Sequence, residues 1–341
     1  MPIVHISPTA LRHNLEILAH QAGSIDKLAV VLKDNAYGHD TALMSRLCYE
    51  AGVRHAVVRD SREASQIAQP YESILLLAQT APLATLPSHW HIAINSLEAL
   101  EQFPAGTRIE LKIDTGMHRN GIAMQEVERA LERVVAHSLV LAGVFTHHRS
   151  ADGLNSDYFW QEKRFDAVVA RVKAFIEAHT LPMPRFHSAN SAAAFRTQNH
   201  RDMVRVGIAL YGLLQMPEVF GVPALRPVLS LWADKIATRD LQAGERIGYD
   251  GTAVCGAPMT VSTYDAGYAD GLLRLRDGHT HRLSGGERLL GRVSMDNISV
   301  ESQTSPLCIY DDARTWAASA GTIAYEVVVR IPAHVERRVV D

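Results

Sequence analysis

The chain has 341 residues, 47% hydrophobic and 21% charged, which is ordinary globular composition and enough for two packed domains. Its 34 Lys and Arg against 37 Asp and Glu leave a formal net charge of −3, so no basic surface is expected for nucleic acid or an anionic membrane. Apolar runs such as 74–78 are far too short to span a bilayer, and no basic segment followed by an apolar one opens the chain, so a cytoplasmic protein is expected.

Cys48, Cys255 and Cys308 are widely spaced with no CxxC, and are expected as free thiols in a reducing compartment. The histidines form no HxxxH or HExxH pair, so no metal site is expected, and the adjacent His147 and His148 should point apart. At the N-terminal end, Ser7-Pro8 reads as an N-cap with Pro at the first helical position. Leu11, Leu15 and Leu18 follow at helical spacing, and Gly23 stops the helix. Residues 28–32 are uninterruptedly apolar, a strand buried on both faces as in a parallel sheet. The run ends on Lys33, and a turn containing Asn35, Gly38 and His39 leads to a helix from Thr41 that Asp40 would cap. On position alone, the plainer reading of Lys33 is a side chain leaving the sheet for water.

Strand and helix patterns then alternate. Leu43 and Leu47 mark a helix face ending at Gly52, 55–58 is a strand, 61–69 a helix before Pro70, and 74–78 the next strand. Strands follow at 91–94, 109–113, 141–145, 185–188 and 203–206, with a long helix over 158–176. Eight βα units in this length predict a closed β/α barrel; a doubly wound open sheet is the alternative, though no GxGxxG turn follows the first strand. Pro223 and Pro227 mark a boundary. Beyond it Gly and Pro become frequent and apolar residues alternate, as at Leu229, Leu231 and Ala233. The expected organisation is a barrel over 1–222 and a mostly β domain over 223–341.

Polar residues gather where the predicted strands end: Lys33 and Tyr37; Lys112, Asp114 and Arg119; His147 and Asp152; His187, Asn190 and Ser191; Arg205, Gly207 and Ile208. In a barrel these ends converge on one pocket. Singly, each suits a solvated position or a cap, Asp114, Asp152 and Asn190 especially. Together they offer an amine able to form a Schiff base, hydroxyls and small backbone donors for a phosphate, and two guanidinium groups. That set suits an aldehyde cofactor with a phosphate tail better than a metal or a nucleotide.

On these residues the chain resembles the bacterial alanine racemases, over nearly its whole length. The matching motifs are Ala-Val-Val-Leu-Lys33-Asp-Asn-Ala-Tyr37-Gly-His39, Lys112-Ile-Asp-Thr-Gly-Met-His-Arg119-Asn-Gly, and Phe-Thr-His147 with Ser-Ala-Asp152. His187-Ser-Ala-Asn190-Ser191 and Arg205-Val-Gly207-Ile208-Ala-Leu-Tyr211-Gly follow in order. In the second domain Ile-Gly-Tyr249, Gly-Tyr268-Ala-Asp-Gly with Arg274, Gly-Arg292-Val-Ser-Met295-Asp296 and Thr-Ile323-Ala-Tyr325-Glu match as well.

The resemblance implies pyridoxal 5'-phosphate as cofactor, alanine as substrate, a homodimer with shared active sites, and D-alanine supplied for peptidoglycan. It implies that Lys33 holds the cofactor and that Tyr37, Ser191, Gly207, Ile208 and Tyr325 hold its phosphate, with Asn190 beside them. His147 would pack on the pyridine ring and Arg205 would face its nitrogen. Arg119 and the Met295 N–H would meet the substrate carboxylate, and Lys112 is often carbamylated in the family. Tyr249 of a partner subunit would be the second base. Asp152, His187, Tyr268, Arg274, Arg292, Asp296 and Ile323 would support the site or its approach. The chain departs from the commonest pattern at Asp34, Asp40, Asn120, His148, Arg149 and its C-terminal close, none of them a proton-transfer position. A broad-specificity amino-acid racemase and a non-catalytic pyridoxal-phosphate carrier are the alternatives. The carrier lacks a second domain. A barrel-type decarboxylase would need a cysteine motif that is not evident at Cys255 or Cys308.

Overall fold

The computed structural model describes residues 1–83, 85–197, 200–222, 224–275 and 280–341. Eight parallel strands lie side by side in the order Val204–Val206, Leu28–Val31, His55–Val58, Ser73–Leu76, Trp90–Ile94, Arg108–Asp114, Val140–Phe145 and Arg185–His187. All eight coincide with predicted strands. The sheet closes where Asp202 N–H reaches Phe186 O and Arg205 N–H reaches Ala189 O, each at 3.0 Å. Closure explains the apolar runs at Leu28–Val31 and Val140–Phe145, since strands inside a barrel wrapped by helices have no wet face, and the charges in Arg108–Asp114, Arg185–His187 and Val204–Val206 are exceptions to it. Ala29 pairs with Arg205 on one side and His55 on the other, which sets Arg205 beside the strand that leads to Lys33.

The first helix, Pro8–Ala22, begins as predicted, with Ser7 Oγ accepting the Ala10 N–H and Gly23 closing it in the left-handed region. In Thr41–Glu50 the buried face is Thr41, Met44, Ser45 and Cys48, and the predicted Leu43 and Leu47 sit half-buried at its edge. Polar anchors rotate the helix: Thr41 Oγ1 donates to Leu32 O at 3.2 Å, and Tyr71 Oη donates to Ser45 O at 2.7 Å. The predicted 61–69 helix is a single turn, Ser61–Ala64.

The second domain is mostly β. One sheet runs Leu307–Tyr310, Leu229–Ala233, Ile3–Ile6 and Glu336–Val339; another runs Lys235–Leu241, Met259–Tyr264, Ile298–Val300 and Leu289–Leu290. The Ile3–Ile6 strand thus pairs with strands far along the chain, antiparallel to Leu229–Ala233 and parallel to Glu336–Val339. Two helices, Ala313–Ala320 and Ala324–Val329, interrupt the β texture where little helical periodicity was expected. Asp312 caps the first, Trp316 is wholly buried beneath it, and Gly321 ends it. Pro223, the predicted boundary residue together with Pro227, lies outside the described residues. Among the described residues no helix is long and apolar enough to cross a membrane.

The two parts meet at Gly38. Arg337 Nε and Nη2 donate to Gly38 O at 3.1 and 2.8 Å, and a Cβ on Gly38 would lie 2.0 Å from Val328 O. Its φ of +80° is also one that side chains disfavour. Gly38→Ala is expected to destabilise the protein by about 2 kcal/mol or more, read as a lower urea midpoint.

Candidate active site

The strand at the start of the barrel delivers Lys33 into an unusual turn. Asp34, Asn35, Ala36 and Tyr37 all have φ between +50° and +54°, a left-handed helical turn that costs roughly 1–2 kcal/mol per residue. It is held from every side. Asp34 N–H donates to Glu63 Oε1 at 2.6 Å, Ala36 N–H to Leu32 O at 2.9 Å, and Thr41 N–H to Asn35 Oδ1 at 3.2 Å. The reversal brings Lys33 and Tyr37 to the same cavity, with Lys33 Nζ 6.0 Å from the Tyr37 ring centroid and 3.1 Å from Asp34 Oδ2.

That cavity, about 850 Å³, opens at the carboxyl ends of the barrel strands. It is lined by Lys33, Tyr37, Lys112, Arg119, His147, Asp152, Asn190, Ser191, Arg205, Gly207 and Ile208, and by Ile323 and Tyr325 from the second domain. At one part of the wall Ser191 Oγ accepts the N–H of Gly207 at 2.9 Å and of Ala209 at 3.3 Å, which leaves its own hydrogen to donate. Tyr37 and Tyr325 stand with ring centroids 5.9 Å apart. Burial pushes both phenols up, Tyr325 to about 12 with Asp152 adding to the effect, so both remain hydroxyl donors at neutral pH. Asn190 Oδ1 accepts the Ala193 N–H at 2.9 Å, the capping role that its residue type suggests.

Arg205 is a buried cation at this cavity, 5% exposed. Burial lowers it to about 10, so it is still charged at neutral pH. Nη2 donates to Thr146 O at 2.7 Å and Ser188 O at 3.3 Å, and Nη1 donates to His187. Lys112, pushed down to about 8 by burial and by Arg119 and Arg205, donates to Asn120 Oδ1. His147 is held well below the usual range by burial and then by Arg205 and Lys112, and so presents a neutral ring to the cavity. His148, expected to point away from His147, also lines the cavity, and its Nε2 lies 2.7 Å from Glu162 Oε1.

His187 lies wholly buried below the cavity wall. Tyr249, Tyr268, Arg274, Arg292, Met295 and Asp296 do not line the cavity; they sit on the second domain. Tyr249 occupies a turn tied back when Arg292 pairs with Asp250, and it is 67% exposed. Tyr268 N–H donates to Ser294 O at 3.0 Å, so Tyr268 adjoins the Met295 segment. Tyr268 and Arg274 line a separate depression with Arg330. The residue that sequence reading missed is Glu110, fully buried behind Lys112 and His187. Its signal was a carboxylate inside an apolar strand, two residues from Lys112 and so on the same face.

Buried neutral histidines make the fold acid-sensitive. Burial lowers His39 to about 4 and His187 to about 3, each wholly buried. As pH falls below ~6.5 the unfolded chain binds protons there that the folded chain refuses, so stability is full above that pH and is lost toward the folded values. Urea unfolding near pH 5 should show a loss of about 2 kcal/mol for each such histidine relative to neutral pH.

Fold and cavity together define a two-domain barrel enzyme with an amine, a buried guanidinium and a cluster of hydroxyl donors at the barrel mouth. Residues 6–215 match the family described as alanine racemase, N-terminal domain, and 228–339 match alanine racemase, C-terminal domain. The chain belongs to the alanine racemase family. It is 46% identical over 347 residues to the alanine racemase of a Nitratiruptor species, covering 100% of both chains. It is 39% identical over 339 residues to that of Campylobacter concisus, covering 99% of each. The crystal structure of alanine racemase from D-cycloserine producing Streptomyces lavendulae superposes with a TM-score of 0.84 at 26% identity, covering 100% of this chain and 97% of that one.

Proposed function

We propose that the chain interconverts L- and D-alanine in this cavity, with pyridoxal 5'-phosphate as cofactor and a second base supplied by a partner copy in a homodimer. D-alanine for peptidoglycan would be the product in use. The observation that carries the reading is the cradle at Gly207. A Cβ there would lie 2.7 Å from Tyr37 Oη, so only glycine leaves that wall open between Tyr37 and Ser191. The hydroxyls of Tyr37, Ser191 and Tyr325, with the backbone at Gly207 and Ile208, make a donor set for a dianionic phosphate. The same cavity offers an amine for an aldehyde, at Lys33, and a donor-only cation for a ring nitrogen, at Arg205. His147 adds a neutral ring to pack on an aromatic face.

When bound, the cofactor supplies the electron withdrawal that makes an amino acid's Cα–H acidic. Racemisation needs one base on each face of Cα. Lys33 Nζ would take or return the proton on one face and Tyr249 Oη on the other. Arg119 and the Met295 N–H would bind the carboxylate. Arg205 keeps its protons near neutral pH and would donate a hydrogen bond to the ring nitrogen without protonating it, which favours return of the proton to Cα over loss of the amino group.

The test is to incubate purified protein with L-alanine and, in parallel, L-serine and L-lysine, then separate the enantiomers. D-alanine should form fastest. Comparable rates on all three would give the broad-specificity reading, and no D-alanine would overturn racemisation. Borohydride should fix the cofactor on Lys33, and Lys33→Ala should lose the visible band; a labelled peptide centred on another lysine would refute that role.

A further inference from the structure

Behind Arg205 lies a buried polar chain that the proposed reaction does not use. Glu110 is wholly buried in the strand Arg108–Asp114, and His187 is wholly buried in Arg185–His187. His187 Nε2 sits 2.6 Å from Glu110 Oε2, and His187 Nδ1 faces Arg205 Nη1. The other carboxylate oxygen, Oε1, takes His91 Nδ1 at 2.7 Å and Arg185 Nε at 3.1 Å. Strand register builds this contact. Glu110 pairs with Gly143, which pairs with Arg185, so two long side chains meet across a position that has none. A Cβ on Gly143 would stand 2.7 Å from Glu110 Oε2. His187 is held flat against Phe145, with ring centroids 4.9 Å apart and planes 4° from parallel.

The donor and acceptor inventory leaves one arrangement. Arg205 has only donors, so His187 Nδ1 must be the acceptor. A neutral imidazole then carries its proton on Nε2, and that proton needs an acceptor. Glu110 is the acceptor present, and as an ionised carboxylate it can serve His187 on one oxygen and Arg185 on the other. A glutamine could not. Its oxygen would satisfy one neighbour while its NH₂ met the other donor head-on, and turning the amide round would reverse the His187 tautomer. The carboxylate also places a compensating charge near a guanidinium that is otherwise out of water.

We propose that Glu110 is a positioning residue: through the Nε2-protonated ring of His187 it holds the Arg205 guanidinium in place and charged at the cavity wall. That this placement serves the cofactor's ring nitrogen rests on the function proposed above. Glu110 acts on the cofactor's partner and not on the substrate, so its loss changes cofactor affinity and turnover and leaves the KM for alanine alone.

The experiment begins with the full wild-type chain, its histidines labelled with ¹⁵N and the His187 signals identified by their loss in His187→Gln. An Nε2–H tautomer at neutral pH is expected; an Nδ1–H tautomer or a charged ring would overturn the relay without any variant of Glu110. Glu110→Gln, checked for folding by its cooperative melt, should show a mixed or reversed tautomer, a pyridoxal-phosphate dissociation constant raised about tenfold, and lower kcat at unchanged KM. An unchanged tautomer with unchanged affinity would overturn the proposal.

If Glu110→Gln does not fold, a pair at 187 decides. His187→Gln presents an oxygen and an N–H where the ring had Nδ1 and Nε2, and should bind cofactor nearly as well as wild type. His187→Leu should bind about tenfold more weakly, and equal binding by the two would overturn the relay. Failure of wild type to bind pyridoxal phosphate at all would sink the proposed function instead, and the tautomer would still decide whether Glu110 holds Arg205.

Discussion

Tyr249→Phe should lower kcat/KM for racemisation of L-alanine and of D-alanine by the same factor, about 10²–10⁴. The equality is required, because mirror symmetry fixes the equilibrium constant at one and a catalyst cannot move it. On the two-base reading proposed above, removing the hydroxyl would remove one base while Lys33 remains in its own cavity, more than two hundred residues away in sequence. The variant should therefore still exchange the Cα hydrogen of one alanine enantiomer with deuterated water, while the other enantiomer exchanges far more slowly. The family resemblance assigns the exchanging enantiomer as D-alanine. Proton NMR of each enantiomer in deuterated buffer reads both rates. Equal residual exchange of the two would argue against bases on opposite faces.

The asymmetry between these two residues also marks what was legible in the sequence. The Lys33 strand declares itself locally: it is buried on both faces, and its four residues are wholly apolar before the chain turns. The other seven barrel strands are short, largely buried segments that alternate with helical ones, although Arg108–Asp114, Arg185–His187 and Val204–Val206 also carry charges, and on that alternation the barrel could be counted from the sequence. The strand ends could then be grouped into one pocket, because closure forces them together. What escaped depends on partners distant in sequence. The Ile3–Ile6 strand is four residues long, and nothing local says that it pairs with Leu229–Ala233 and Glu336–Val339. Ala313–Ala320 and Ala324–Val329, at eight and six residues, are too short to show a clear period, and the buried Trp316 becomes an anchor only once the sheets are packed. The left-handed turn after Lys33 was legible only as a turn, since a run of four non-glycine residues is seldom held at positive φ without tertiary support. Glu110 looked like an ordinary charge until Gly143 and Arg185 stood level with it.

Neither Lys33→Ala nor Tyr249→Ala should be active alone, yet the two inactive variants unfolded and refolded together should recover roughly a quarter of wild-type activity. Tyr249 is 67% exposed and Met295 55%, and neither lines the cavity that holds Lys33. An exposed aromatic and an exposed thioether on the second domain suit an interface, where a partner surface would take both out of water. In a two-fold assembly the second domain of each chain can meet the barrel of the other, which gives two equivalent composite sites. A mixed dimer then collects both lesions in one site and neither in the other. Random pairing makes half of all dimers mixed, and each mixed dimer has one intact site of two. The assay is D-alanine formation from L-alanine, with mixed dimers confirmed by native mass spectrometry. Absence of recovery among confirmed mixed dimers would mean that Lys33 and Tyr249 act within one chain, and the second domain would then have to move Tyr249 toward its own barrel.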